Sequence, residues 1–277
     1  MKIGFLRKIY PYLSKDTKNI KWRNLTEQEL NRAMEEKQVI SNCYDEATRY
    51  ALLASKKGRK FLKSRIKIQK GENIDPAYKI KLNINGKDEI YRATKNDYKY
   101  FFSDIYDNYA KADVIVKPYT AKNSRLSLAV NIAVSKMITK HPSMKPLVSK
   151  IFVSPFSRNA NCEFNKPSNA FKWFTGKNPI EYGESGINMS LRGYRDETLK
   201  LLKSLGKSKP KNYSFVALTG FQRKKKINSW HTVPITNVNF KEKTVTVLDK
   251  RTHNYTTVSF DEFVNKFKAI IGIKHKP

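Results

Sequence analysis

Two cysteines and four histidines bound the nucleophilic and acid–base chemistry open to this chain of 277 residues. Position separates Cys43 and His231 from the rest. Residues 42–57 read as a helix, with Asn42 as its cap, Asp45 and Glu46 in the first turn, Lys56 and Lys57 in the last, and Gly58 as a stop. Cys43 is then the first helical residue, where unpaired backbone N–H groups and the positive helix end favour a thiolate. Asp45 and Glu46 oppose that effect unless they face solvent. A small buried apolar side chain is the other role open to such a cysteine. His231 opens a predicted core strand, which can hold an imidazole rigidly. His141 precedes Pro142 in a loop, His253 falls in a turn and His275 in the C-terminal tail. Asp249 ends the next strand, eighteen positions after His231. If the stretches HTVPITNVNF and TVTVLDK form a hairpin turning near Lys241 to Lys243, His231 and Asp249 come to the same end of the pair. Thiol, imidazole and carboxylate in that order make a nucleophile, its base and the group that orients the base. The other roles open are a strand-edge histidine and a turn aspartate.

The elements that must position these residues are legible as a helical first half and a strand-rich second half. Tyr44, Ala47, Ala51 and Ala54 share one face of the Cys43 helix. Residues 78–92 alternate apolar and polar around Asn85-Gly86, a hairpin signal. Helices are expected over 96–110, 124–139, 168–174 and 194–205, the last ending at Gly206, and residues 155–190 read mainly as loop. After Pro210, the stretches SFVALTG, HTVPITNVNF, TVTVLDK and YTTVSF read as four strands of an antiparallel sheet, and residues 260–270 as a closing helix. This order of elements gives an α+β class. Residues 1–36 read as a polar, partly helical lead-in. The catalytic region is expected over 37–277, with a helical subdomain about 37–206 and a β subdomain about 210–277.

Composition sets the remaining bounds. Hydrophobic residues at 39% and aromatics at 12% suffice for a packed core. Lys and Arg number 55 against 24 Asp and Glu, a formal +31, spread along the whole chain. Such a surface attracts nucleic acid, anionic lipid or acidic protein in a salt-sensitive way, so an anionic partner is one expectation; a solvated lysine-rich surface is the other. The run RKKKI at 223–227 carries the same two readings. Two cysteines build no disulfide framework. Arg7, Lys8 and Pro11 break the N-terminal apolar stretch below signal-peptide length, and no window is long and apolar enough to span a bilayer. The expectation is a soluble protein, cytoplasmic or exported without a cleaved signal. No phosphate-binding loop, dinucleotide glycine pattern, zinc spacing or acidic calcium loop is present, so no cofactor and no metal are expected. Nothing bears on oligomeric state.

Three stretches carry a family resemblance. KQVISNCYDEATRYALLAS resembles the nucleophile segment of calpain-like and papain-like cysteine proteases: a Gln, a short polar loop, then a Cys opening a long helix. SNAFKWFTGKNP resembles the Thr-Gly segment of the calpain core. The stretch from INSWH to FDEFVNKF resembles that family's His strand, the strand bearing its third member, and a following Asp-x-Phe helix. The resemblance implies a papain-like fold, a protein or peptide substrate, and cysteine peptidase chemistry through an acyl-enzyme. It makes Cys43 the nucleophile, His231 the general base and acid, and Asp249 the orienting group where the family usually has Asn. It makes Gln38 the side-chain donor to the oxyanion, beside the backbone N–H of Cys43. Trp230 stands where the family has Gly, Gln38 is one position closer to the Cys, and Lys250 and Arg251 replace the run that usually follows the third member. The same triad with an amine acceptor would give acyltransferase or transglutaminase-like chemistry. A catalytically inactive scaffold, binding nucleic acid or acidic partners through its basic surface, is the non-enzymatic alternative.

Overall fold

Asn85 and Gly86 both adopt positive φ, 49° and 86°, the turn whose twist matches two flanking antiparallel strands. They join β3 (Tyr78–Ile84) to β4 (Lys87–Ala93), the hairpin expected from the sequence. The structure, a computed structural model, describes residues 20–36, 43–71, 75–100, 125–141, 167–183, 191–207, 212–219, 231–250 and 252–275. Two further strands, β1 (Trp22–Asn24) and β2 (Ile66–Gln69), complete an antiparallel sheet in the order β1-β2-β3-β4. The first half therefore holds a sheet as well as helices. Within the stretch read as a partly helical lead-in, residues 22–24 pair with β2 and a helix follows. Helix α1 (Glu27–Glu35) starts with a capping box, the Thr26 hydroxyl and Glu29 carboxylate each accepting the other's backbone N–H. It buries Leu30 and Ala33 in the main core.

Helix α2 (Cys43–Ala54) is followed at once by α3 (Lys56–Arg65). Ser55 separates them, leaving helical geometry and accepting the Gly58 N–H on its hydroxyl at 2.9 Å. Gly58 is thus not a stop but an interior residue of α3. A Cβ there would lie 2.2 Å from the Leu52 carbonyl oxygen, so only glycine allows the two helices to meet this closely. The expected single helix is a bent pair.

Helices α4 (Lys95–Tyr100), α5 (Leu126–Lys140), α6 (Pro167–Thr175) and α7 (Leu191–Gly206) follow. The predicted segment beyond residue 100, residues 220–230 with Trp230 and the basic run, and Gln38 and Cys162 lie outside the described residues. The second sheet has six antiparallel strands in the order β5-β10-β6-β7-β8-β9. The four expected strands are β6 (Tyr213–Thr219), β7 (Thr232–Asn239), β8 (Thr244–Asp249) and β9 (Asn254–Ser259). To these the structure adds β5 (Ile180–Gly183) and β10 (Phe267–Lys274). The closing helix, α8 (Phe260–Lys266), ends where β10 begins.

Alternation along this sheet sorts its side chains into two cores. Val216, Leu218, Ala269 and Ile271 join a core with α2, α5, α6 and the first sheet. Phe215, Ala217, Val233, Ile235, Val247 and Ile270 join the other with α7 and α8. Helix α6 packs on both sheets, against β3 and β10, and α2 packs on α6 and along β6 and β7. The class is α+β with two antiparallel sheets. No helix among the described residues is long and apolar enough to cross a membrane.

Candidate active site

The β7–β8 pairing decides whether His231 and Asp249 can meet. Ile235 stands opposite Val247, which by the same register sets Val233 opposite Asp249. His231 is then the diagonal neighbour of Asp249 on the same sheet face, within reach of a long side chain. Its Nε2 lies 3.3 Å from Asp249 Oδ1. The backbone of His231 is fixed as well. It donates its N–H to the Thr219 hydroxyl at 3.0 Å and accepts the Thr219 N–H at 2.9 Å. The imidazole is one-tenth exposed and the carboxylate about one-third. An Nε2–H directed at the carboxylate leaves the Nδ1 lone pair as the basic position of the neutral ring.

The direction of α2 follows from two tie points. At its end, the Ser55 hydroxyl meets the Ser214 hydroxyl, 3.0 Å away at the start of β6. Five residues earlier, the Tyr50 ring packs on the Lys250 ammonium, beside Asp249. From Ser55 back to Cys43 the helix spans about 18 Å at ~1.5 Å per residue. From Ser214 to Thr219 the strand spans about 17 Å at ~3.3 Å per residue. The start of α2 thus lies at the sheet end that carries His231. The helix start that Cys43 occupies therefore lies toward the end of the second sheet where His231 and Asp249 meet. The Cys43 side chain lies outside the described set.

The first turn of α2 decides between the two placements open to its acids. Asp45 and Glu46 do not face solvent; both are buried, as is Arg49. Glu46 pairs with the Arg49 guanidinium, which also bonds the Ser127 hydroxyl and lies 3.7 Å from Glu36. Ser127 in turn donates to Glu36, and the Tyr50 hydroxyl donates to the Glu36 carbonyl at 2.6 Å. Burial, reinforced by the Glu46 charge and opposed by Arg49, pushes the Asp45 carboxyl up to about 7. The first-turn acids therefore oppose a thiolate weakly: Glu46 is answered by Arg49, and Asp45 is substantially protonated near neutral pH. The Glu46–Arg49 spacing of three is a helix pair visible in the sequence; the parts played by Ser127 and Glu36 carry no such signal.

His275, read as a tail residue, is buried. Its Nε2 lies 2.9 Å from the Ser214 hydroxyl and 3.2 Å from that of Ser55. Burial, with the charges of Lys177 and Lys57, lowers it to about 4, so it is neutral at ordinary pH. Among the described residues no group of three His, Cys, Asp or Glu side chains has the arrangement to hold a metal ion. Neither the protein-family models nor the curated proteins compared with this chain give a match.

Proposed function

We propose that this protein is a papain-like cysteine hydrolase acting on peptide bonds of a protein or peptide substrate. The observation that carries the reading is the His231–Asp249 contact at the sheet end where the Cys43 helix starts. In this mechanism Asp249 accepts the Nε2–H of His231, which fixes the tautomer and leaves Nδ1 to take the Cys43 thiol proton. The thiolate attacks the carbonyl carbon. The resulting oxyanion is met by the backbone N–H of Cys43, which as a first-turn donor has no acceptor within its own helix, and by Gln38. His231 returns the proton to the leaving amine as the C–N bond breaks. A water molecule, deprotonated by His231, then attacks the thioester and releases the acid and the thiol.

One observation favours a second reading. His231 is in phase with Val233 and Ile235, whose side chains lie on the sheet face away from α2. A ring held to that face would staple the strand ends together, and Cys43 would be an ordinary thiol. Brief labelling with iodoacetamide near pH 7, followed by peptide mapping, separates the two. The hydrolase reading expects Cys43 to react at least about tenfold faster than Cys162, and His231→Ala to abolish the difference. Equal labelling, or no cleavage of a broad fluorogenic peptide panel by the parent, sinks it in favour of the staple.

A further inference from the structure

A lysine in a turn ordinarily extends into solvent. Lys250, which follows β8, is 2% exposed. Its ammonium donates to the Met34 carbonyl at 3.0 Å and to His253 Nδ1 at 3.3 Å, and lies 3.4 Å from the centre of the Tyr50 ring. These partners belong to three separate elements: α1, α2 and the β8–β9 turn. Each is itself fixed. The Tyr50 hydroxyl is bonded to the Glu36 carbonyl, and Met34 belongs to the capped helix α1. The His253 N–H donates to the Asp249 carbonyl at 2.7 Å, with His253 in the left-handed region at φ 61°. A buried ammonium is tolerated only where donors and charge are answered, and here a carbonyl, an imidazole lone pair and an aromatic face answer them.

We propose that Lys250 is a positioning residue for the Cys–His–Asp site, a strut that holds the His231–Asp249 pair at a set distance from the helix Cys43 opens; this rests on the hydrolase reading above. Lys250 is covalently next to Asp249, so anchoring its ammonium on α1 and α2 fixes the backbone from which the carboxylate projects. Its hold on His253 closes the same turn from the other side. The sheet that carries base and orienting group is thereby joined to the helix that carries the nucleophile. No cation is needed at this point by the chemistry itself, so the effect of Lys250 runs through the placement of Asp249.

The test compares the full-length parent with Lys250→Met, which keeps the methylenes and loses the donors, and Lys250→Arg, which keeps charge and donors. Two readouts are taken: the Cys43 to Cys162 iodoacetamide labelling ratio near pH 7, and the ring-nitrogen NMR signals of His231, which report its tautomer. Lys250→Met is expected to lower the labelling ratio about tenfold. It is also expected to turn a single Nε2–H tautomer into a mixture, with the far-ultraviolet circular dichroism unchanged. Lys250→Arg recovers most of both. Parent-like labelling and tautomer in Lys250→Met overturn the proposal. If the parent labels Cys43 no faster than Cys162, the hydrolase reading fails, and the tautomer alone then decides whether Lys250 sets the pair. Should Lys250→Met fail to fold, the folded Arg variant decides: retained ratio and tautomer support the strut, and loss of both overturns it.

Discussion

The two ends of α2 are both buried and both polar, yet they are built from opposite materials. The start is ionic: Glu46, Arg49 and Glu36, with Asp45 buried among them. The end is neutral: two hydroxyls and an uncharged imidazole, from Ser55, Ser214 and His275. A charged cluster in a low-dielectric interior is costly to assemble and damaging to disrupt. A neutral one is cheap, and each of its bonds matters about as much as an ordinary hydrogen bond. The difference places field and titratable charge at the end where the chemistry is proposed, and a passive clamp at the end that ties the helix to the sheet.

The largest expected effect breaks the ionic end. Arg49→Met leaves Glu46 and Glu36 buried without their cation and should cost about 3–5 kcal/mol, read as a fall in the urea midpoint. A cost below about 1 kcal/mol would mean that water reaches the cluster.

The next tests the titration of Asp45. Its folded value near 7 lies above the ordinary 3.8, so protonation favours the fold. That contribution is full below about pH 4 and is lost as pH rises to about 7. Asp45→Asn should therefore raise stability by roughly 1–3 kcal/mol at pH 8 and leave it unchanged at pH 4. An equal effect at both values would remove the titration as its cause.

The neutral end slopes the other way. The folded value of His275, about 4, lies below the ordinary 6.5, so the unfolded chain takes up the proton first. Stability is lost as pH falls from 6.5 to about 4, by about 1–2 kcal/mol after solvent screening. In the parent the Asp45 and His275 slopes oppose each other over this window. His275→Gln should uncover the Asp45 slope, with stability falling steadily as pH rises from 4 to 7 in urea titrations. A profile unchanged from the parent would mean that His275 does not carry the acid limb. The smallest effect belongs to Ser214→Ala, about 1 kcal/mol near neutral pH, where His275 is uncharged.

How much of this was legible depended on the kind of signal. The β7–β8 hairpin and the meeting of His231 with Asp249 followed from alternation and a turn, which are local patterns. The β3–β4 hairpin announced itself through Asn85-Gly86. β10 did not, because its run FKAIIGIK is buried on both faces and shows no alternation to set it apart from the tail of a helix. Gly58 carries the ordinary signature of a helix stop, and only the neighbouring Leu52 carbonyl shows why it sits inside α3. Whether Asp45 and Glu46 face solvent is open in the sequence, because the burial of both and the place of Ser127 between Arg49 and Glu36 come only with the fold. Lys250 gave no signal, since its partners Met34 and Tyr50 lie some 200 positions away.

The place of β10 has a consequence for synthesis. Phe267 and Ile270 feed one core, Ala269, Ile271 and Ile273 the other, and the strand lies between β5 and β6. On the ribosome, strands made earlier emerge with an open slot between β5 and β6 and with apolar faces uncovered on both sides. Neither core is complete until residues 267–274 have left the exit tunnel. Until then the chain presents to chaperones a sheet lacking one of its inner strands.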